Sequence, residues 1–143
     1  MADELVNVTI DGMPVSVPKG TSIIEAAKQA GVLVPHYCYH PSLPSPAVCR
    51  MCLVEVEKAP KLMPACVTTV AEGQVVHVNS ATAKKAREGV LELLLDLSEN
   101  MTGKTICVLS DSCAAPVVSG IQKFRSEFEA YIAGAREPAM AAV

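Results

Sequence analysis

The stretch that decides the fold runs Pro35-His36-Tyr37-Cys38-Tyr39-His40-Pro41-Ser42-Leu43-Pro44-Ser45-Pro46-Ala47-Val48-Cys49-Arg50-Met51-Cys52, and the alternating Leu53-Val54-Glu55-Val56-Glu57 follows it directly. A further cysteine completes the pattern Cys38-x10-Cys49-x2-Cys52-x13-Cys66. Four thiolates close the coordination of a binuclear iron–sulfur cluster, two on each iron. The plant-type spacing of such sites has a first gap of four residues. Here the gap is ten, while the close pair and the distant fourth cysteine are kept. Pro35, Pro41, Pro44 and Pro46 fix φ along the loop and lower the entropy lost when it is ordered. Backbone N–H groups turned inward by that loop are the expected donors to sulfur.

Two other uses of four cysteines stand beside this one. Disulfides need an oxidising compartment, and the acidic start Met1-Ala2-Asp3-Glu4-Leu5 lacks the basic-then-apolar layout of a secretory signal. Structural zinc sites usually show two close pairs, or one pair with two histidines. This chain has one pair and two single cysteines.

Working outward, Val6-Asn7-Val8-Thr9-Ile10 and Val15-Ser16-Val17 alternate around Asp11-Gly12, which predicts a hairpin. Ser22-x-x-Glu25 fits a capping box opening a helix over Ile23, Ile24, Ala26, Ala27 and Ala30, with Gly31 as its C-terminal stop. Leu53–Glu57, Leu62–Val67 and Gly73–Val78 are predicted strands, the second carrying Cys66 back to the site. From Ala81 to Asn100, Ala83, Ala86, Val90, Leu93, Leu94 and Leu97 form an apolar helical stripe, with Lys84, Lys85, Arg87, Glu88, Glu92 and Asp96 on the remaining surface. Gly103 marks a break, and Val117, Ile121, Phe124, Phe128 and Ile132 predict a second helix. Pro138 and the Ala-rich end read as a frayed tail. The expected organisation is an α+β domain over residues 1–80, a connecting amphipathic helix over 81–100 and a helical segment over 101–143. At least one apolar helical face is expected to meet another subunit or to fold back on its neighbour.

Bulk properties narrow the function. The chain of 143 residues is half hydrophobic, 3% aromatic and carries a net charge of −3, so it offers no basic footprint for nucleic acid. No apolar run approaches the ~18 residues of a membrane span. None of the eight glycines falls into a dinucleotide or P-loop motif. His36, His40 and His77 suggest no nucleophilic grouping. A relay fits this inventory better than a catalyst with its own substrate pocket.

Residues 35–98, including Pro35-His36-Tyr37-Cys38-Tyr39-His40-Pro41, Cys49-Arg50-Met51-Cys52-Leu53-Val54-Glu55-Val56, Cys66 and Lys85-Ala86-Arg87-Glu88-Gly89-Val90, resemble the N-terminal part of the large iron–sulfur subunit of respiratory complex I, NADH:quinone oxidoreductase. The same module recurs in NAD-linked hydrogenases and formate dehydrogenases. The resemblance covers residues 3 to about 95. It implies a β-grasp, ferredoxin-like fold with a [2Fe–2S] cluster on Cys38, Cys49, Cys52 and Cys66. Many members of that family carry a glycine just before the close pair, where this chain has Ala47-Val48. Residues 101–133, with Gly103-Lys104-Thr105-Ile106-Cys107, Ala114-Ala115-Pro116-Val117 and Phe124-Arg125-x-Glu127-Phe128, resemble the C-terminal end of the flavin- and NADH-binding subunit instead. There the cysteine matching Cys107 is the last ligand of a [4Fe–4S] cluster, whose other three ligands are missing here. Cys107 is therefore expected to be an idle or buried thiol, or to join a partner's cysteines; Cys113 is expected to pack.

These resemblances imply one-electron transfer within an NADH dehydrogenase complex, near the −400 mV or so of plant-type clusters. An electron-transfer subunit of an NAD-linked hydrogenase or formate dehydrogenase is the alternative, and a non-redox scaffold fragment with an empty or zinc-filled site is a third reading. The implied partners are other subunits of such a complex, with no nucleic acid, no direct membrane insertion and no nucleotide site in this chain. The implied location is cytoplasmic, or peripheral to the inner membrane through those subunits. Arg50 would either stabilise the added electron or face solvent or a partner. His40 would either donate to a cluster sulfur or cap the loop.

Overall fold

Alternation places Val6, Val8 and Ile10 on the buried side of β1 (Leu5–Ile10), which pairs antiparallel with β2 (Met13–Pro18). The turn between them is set by Asp11 and Gly12 at φ +46° and +84°. The computed structural model describes residues 4–134; Pro138 and the tail read as frayed lie outside the described residues. By internal contacts the chain divides into two units, Met1–Arg87 and Glu88–Val143.

In the first unit, α1 (Ile23–Gln29) buries Ile23, Ile24, Ala26 and Ala27. Three further strands follow: β3 (Leu53–Val56), β4 (Met63–Pro64) and β5 (Gln74–His77). The sheet order is β2-β1-β5-β3-β4, with β1 and β5 parallel and the other pairs antiparallel. Val8, Ile10, Val17, Val54 and Val76 join the α1 residues in one core. A sheet with a crossing helix between its first hairpin and its later strands is the expected α+β, ferredoxin-like architecture. The Asp11 carboxylate accepts hydrogen bonds from Val78 N (2.8 Å) and Asn79 Nδ2 (2.8 Å), tying the hairpin turn to the end of β5.

Gly31 ends α1 as expected. At φ +72° it turns the chain so that Gly31 N donates to Lys28 O (3.1 Å) and Val32 N to Ala27 O (2.8 Å), the two bonds of a Schellman motif. The other end of α1 differs from the capping-box reading. Ser22 occupies the N-cap position without a side-chain cap bond. Ile23 N and Ile24 N donate instead to Thr68 O (2.8 Å) and Ala65 O (3.1 Å), backbone groups beside Cys66. Glu25 accepts the Tyr39 hydroxyl instead.

A second correction concerns the strand expected over Leu62–Val67, which pairs only at Met63 and Pro64. Pro64 O then gathers Val67 N (3.3 Å), Thr68 N (3.1 Å) and Thr68 Oγ1 (2.8 Å), coiling the chain into a turn. Cys66 therefore sits in a turn, not on a strand.

The long helix α2 spans Ala81–Met101, and the unit boundary falls within it. Its first turn is capped by Ser80, whose Oγ accepts Ala83 N at 3.1 Å. Its buried positions are Ala83, Arg87, Leu91 and Ser98, whereas Leu93 and Leu97 are 54% and 51% exposed. The apolar stripe is thus displaced from the one expected, and Arg87, assigned to the surface, is fully buried. Its guanidinium explains this: Nε and Nη2 donate to Leu53 O (3.2 and 2.8 Å) and Nη2 also to Val78 O (2.8 Å). Ser98 tolerates burial by donating to Leu94 O within its own helix (2.7 Å).

In the second unit, the stripe expected as one helix is divided at Phe124 into α3 (Leu109–Lys123) and α4 (Arg125–Ile132). Ala114, Ile121 and Ile132 are buried, and Phe124, at φ −114° and ψ 27°, is exposed at the break. Arg125 bonds to Glu92 and to Glu129 (2.7 Å), and these two carboxylates raise its proton affinity further.

Candidate metal centre

Cys38 and Cys49 lie on the proline-rich loop, Cys52 immediately before β3, and Cys66 in the turn after β4. The Sγ atoms of Cys38 and Cys49 are 3.3 Å apart. Cys66 meets Cys52 through both its backbone N–H and its side chain, and Cys49 acts on Cys52 through its charge. The four sulfurs therefore stand as two neighbouring pairs. Among the described residues no three His, Cys, Asp or Glu side chains gather as a ligand set for a single ion, and none of the six cysteines is paired in a disulfide.

Electrostatics differ between the pairs. Partial burial raises the Cys49 pKa, but the N–H groups of Cys38, Met51 and Tyr37 and the Cys38 side chain outweigh it and hold the thiol below its ordinary value. Burial pushes the Cys52 thiol up to about 12, with the side chain of Cys66 and the charges of Cys66 and Cys49 adding to the rise against a lowering Cys66 N–H. Cys52 thus resists ionisation without a cation beside it, and a metal ion bound there would supply that positive charge in place of the proton.

The loop's conformation is held by its own chemistry. Ala47 and Arg50 adopt φ +53° and +58° on either side of Cys49, so Ala47 makes the left-handed turn that a glycine makes more easily. His36 Nδ1 donates to Val34 O (2.7 Å) and its ring meets Tyr39 edge-on with centroids 5.5 Å apart. His40 Nδ1 accepts Ser42 N (3.2 Å) and its carbonyl accepts Leu43 N (3.1 Å), so His40 braces the loop. Tyr39 donates to Glu25, linking the segment beside Cys38 to α1. Burial first, then that bond and the nearby charges of Glu25 and Cys66, raises the Tyr39 pKa to about 12. Sequence reasoning missed this link because Glu25 had a ready role in the capping box. The Ser45 hydroxyl is buried in the same loop with no hydrogen-bond partner among the described residues. Two sulfur pairs, inward N–H groups around Cys49 and this open hydroxyl suit a binuclear cluster.

Cys107 and Cys113 are both exposed. The packing expected for Cys113 is therefore overturned: α3 turns Ala114 and Ile121 inward and leaves Cys113 on another side. Cys107 lies in an exposed apolar segment with Ile106, Val108 and Leu109, so the buried reading of this thiol fails as well.

Comparison with known families places residues 3–81 in a match described as a 2Fe-2S iron-sulfur cluster binding domain, and residues 64–131 in one described as the NADH-ubiquinone oxidoreductase-F iron-sulfur binding region. The mitochondrial NADH-ubiquinone oxidoreductase 78 kDa subunit of Candida albicans is 55% identical over 91 residues, covering 64% of this chain and 13% of the relative. The NADH-ubiquinone oxidoreductase 75 kDa subunit of Reclinomonas americana is 48% identical over 91 residues, with the same 64% and 13% coverage. The chain thus spans only a small part of these curated relatives. A chain in the crystal structure of an NAD+-reducing [NiFe]-hydrogenase in the H2-reduced state superposes with a TM-score of 0.58 at 27% identity, over 78% of this chain and 48% of that one. Among the described residues no helix is long and apolar enough to cross a membrane.

Proposed function

This chain belongs to the family of 2Fe-2S iron-sulfur cluster binding domains, and on that premise we propose that Cys38, Cys49, Cys52 and Cys66 are the four ligands of its [2Fe–2S] cluster and that it carries single electrons within an NADH-quinone oxidoreductase-type assembly. The observation that carries the reading is the pairing of sulfurs, Cys38 with Cys49 and Cys52 with Cys66, because each iron of a binuclear cluster takes two thiolates. When bound, the cluster supplies a one-electron couple without proton or group transfer. The chain's own residues do the rest. The N–H groups of Cys38, Met51 and Tyr37 favour the thiolate of Cys49. The Tyr39–Glu25 bond holds the loop against α1, and Arg87 anchors the strand that leaves Cys52.

Membership of an NADH-oxidising assembly is supported by the names of the relatives that match 64% of this chain. The hydrogenase likeness supports a second reading, the same relay serving an NAD-linked hydrogenase. Residues 1–80 are proposed as the cluster domain, 81–100 as the connecting amphipathic helix and 101–143 as the C-terminal segment. Spectroelectrochemistry of the anaerobically reconstituted protein tests the relay: a Nernst slope of about 59 mV, the one-electron value, is expected. A redox-silent protein would overturn it. Affinity purification from the native cell separates the assemblies, flavin-containing NADH-oxidising subunits supporting the first and nickel-containing ones the second.

A further inference from the structure

Residues 35–52 contain no aspartate or glutamate, in a chain that has 15 of them and a net charge of −3. Arg50 is the one Lys or Arg in that stretch. It is exposed, and no ion pair among the described residues involves it. Its φ of +58° is a conformation that glycine adopts freely and arginine does not. The fold therefore holds a solvent-facing cation between Cys49 and Cys52 at a position where glycine would sit with less strain. The exposed side chains beside the other proposed ligands are apolar: Tyr37 (45%) next to Cys38, Val48 (72%) next to Cys49 and Val67 (46%) next to Cys66, with Leu43 (65%) on the same loop. Apolar contact area with one unpaired charge is the composition of a surface that excludes water on association and selects its partner by charge.

We propose that the exposed surface of this loop, residues 35–52 with no carboxylate of its own, is where electron partners dock, and that Arg50 selects anionic ones, namely redox proteins whose electron-carrying centre is rimmed by carboxylates. The inference rests on the cluster reading above. The test is anaerobic stopped-flow oxidation of the dithionite-reduced holoprotein by two outer-sphere oxidants of opposite charge, hexacyanoferrate(III) and hexaammineruthenium(III). In each case the protein loses one electron and the metal complex gains it; no bond breaks and no proton moves.

The readout is the ratio of the anion's rate to the cation's. In R50Q and R50G it is expected to fall about five-fold or more at roughly 10 mM ionic strength, where screening reaches only beyond about 30 Å, and the difference is expected to fade near about 0.5 M. R50K is expected to keep the wild-type ratio. Midpoint potentials of the same variants separate a second role, because a change in potential alone moves both rates together and leaves their ratio fixed. R50G relieves the backbone strain, so its iron content is expected to match wild type and a folding loss cannot imitate the effect. A wild-type cluster whose rate ratio is unchanged in R50Q and R50G would overturn this inference alone. A wild-type chain that assembles no cluster would overturn the cluster reading and this inference with it.

Discussion

Replacing Arg87 with methionine keeps the length of the side chain and removes its donors. The structure sets the magnitude. Three N–H···O contacts of 2.8 to 3.2 Å, to Leu53 O and Val78 O, disappear in a fully buried position, and two backbone carbonyls lose this partner. An acceptor left unsatisfied in the interior costs about 1–3 kcal/mol, so the two together cost roughly 2–6 kcal/mol. Methionine returns part of this because no charge has to be desolvated. The net loss expected is about 2–4 kcal/mol, equivalent to some 10–25 °C in the melting temperature of a domain this size. Lysine, a point charge without the planar fork, is expected to fall between. The assay is urea unfolding followed by circular dichroism at constant m-value, with hydrogen exchange of β3 and β5 amides assigning the loss to the sheet. An R87M protein within about 1 kcal/mol of wild type, or more stable than it, would refute the reasoning, as replacement of buried charge by apolar volume does in some proteins.

Other expectations follow from single features of the site and sheet. Ala47→Gly removes a Cβ from φ +53°, and the relief, offset partly by the looser unfolded chain, is expected to stabilise the protein by about 0.5 kcal/mol; a lower melting temperature would contradict this. In the cluster-loaded protein iodoacetamide is expected to label Cys107 and Cys113, both exposed, and a third label found by mass spectrometry would show that a proposed ligand is free. The side-chain and backbone N–H groups of Asn7 hold the Glu72 carboxylate below the ordinary glutamate pKa of 4.5. That tie is therefore complete above the ordinary value and is lost as pH falls through the lowered one, so an NMR titration of the Asn7 amide is expected to turn below 4.5, and a midpoint at or above it sinks the assignment.

What was legible in the sequence was local. Asp11-Gly12 and Gly31 announce their turns because the left-handed backbone they need is a property of those residues. The cysteine spacing announces a metal because four thiols in one half of a chain have few other uses. The departures arise where a distant partner competes with a local motif. Ser22 and Glu25 have the sequence of a capping box, yet Ser22 makes no side-chain cap bond and the Glu25 carboxylate is taken by Tyr39, 14 residues away. Arg87 reads as a surface charge on any helical wheel, and only the ends of β3 and β5, 34 and nine residues away, make a buried site for it. The strand through Cys66 is apolar enough to extend, but Pro64 O collects three donors and coils it. Ala47 shows the reverse: the loop imposes its conformation on a residue that does not favour it.

The four-cysteine cluster is most directly tested by iron and acid-labile sulfide content, with electron paramagnetic resonance of the dithionite-reduced protein prepared without oxygen. Iron and sulfide are each expected at about two per chain, together with a rhombic [2Fe–2S] signal. Both should be lost in Cys66→Ala and kept in Cys107→Ala. Zinc in place of iron, or iron without sulfide, would contradict the cluster.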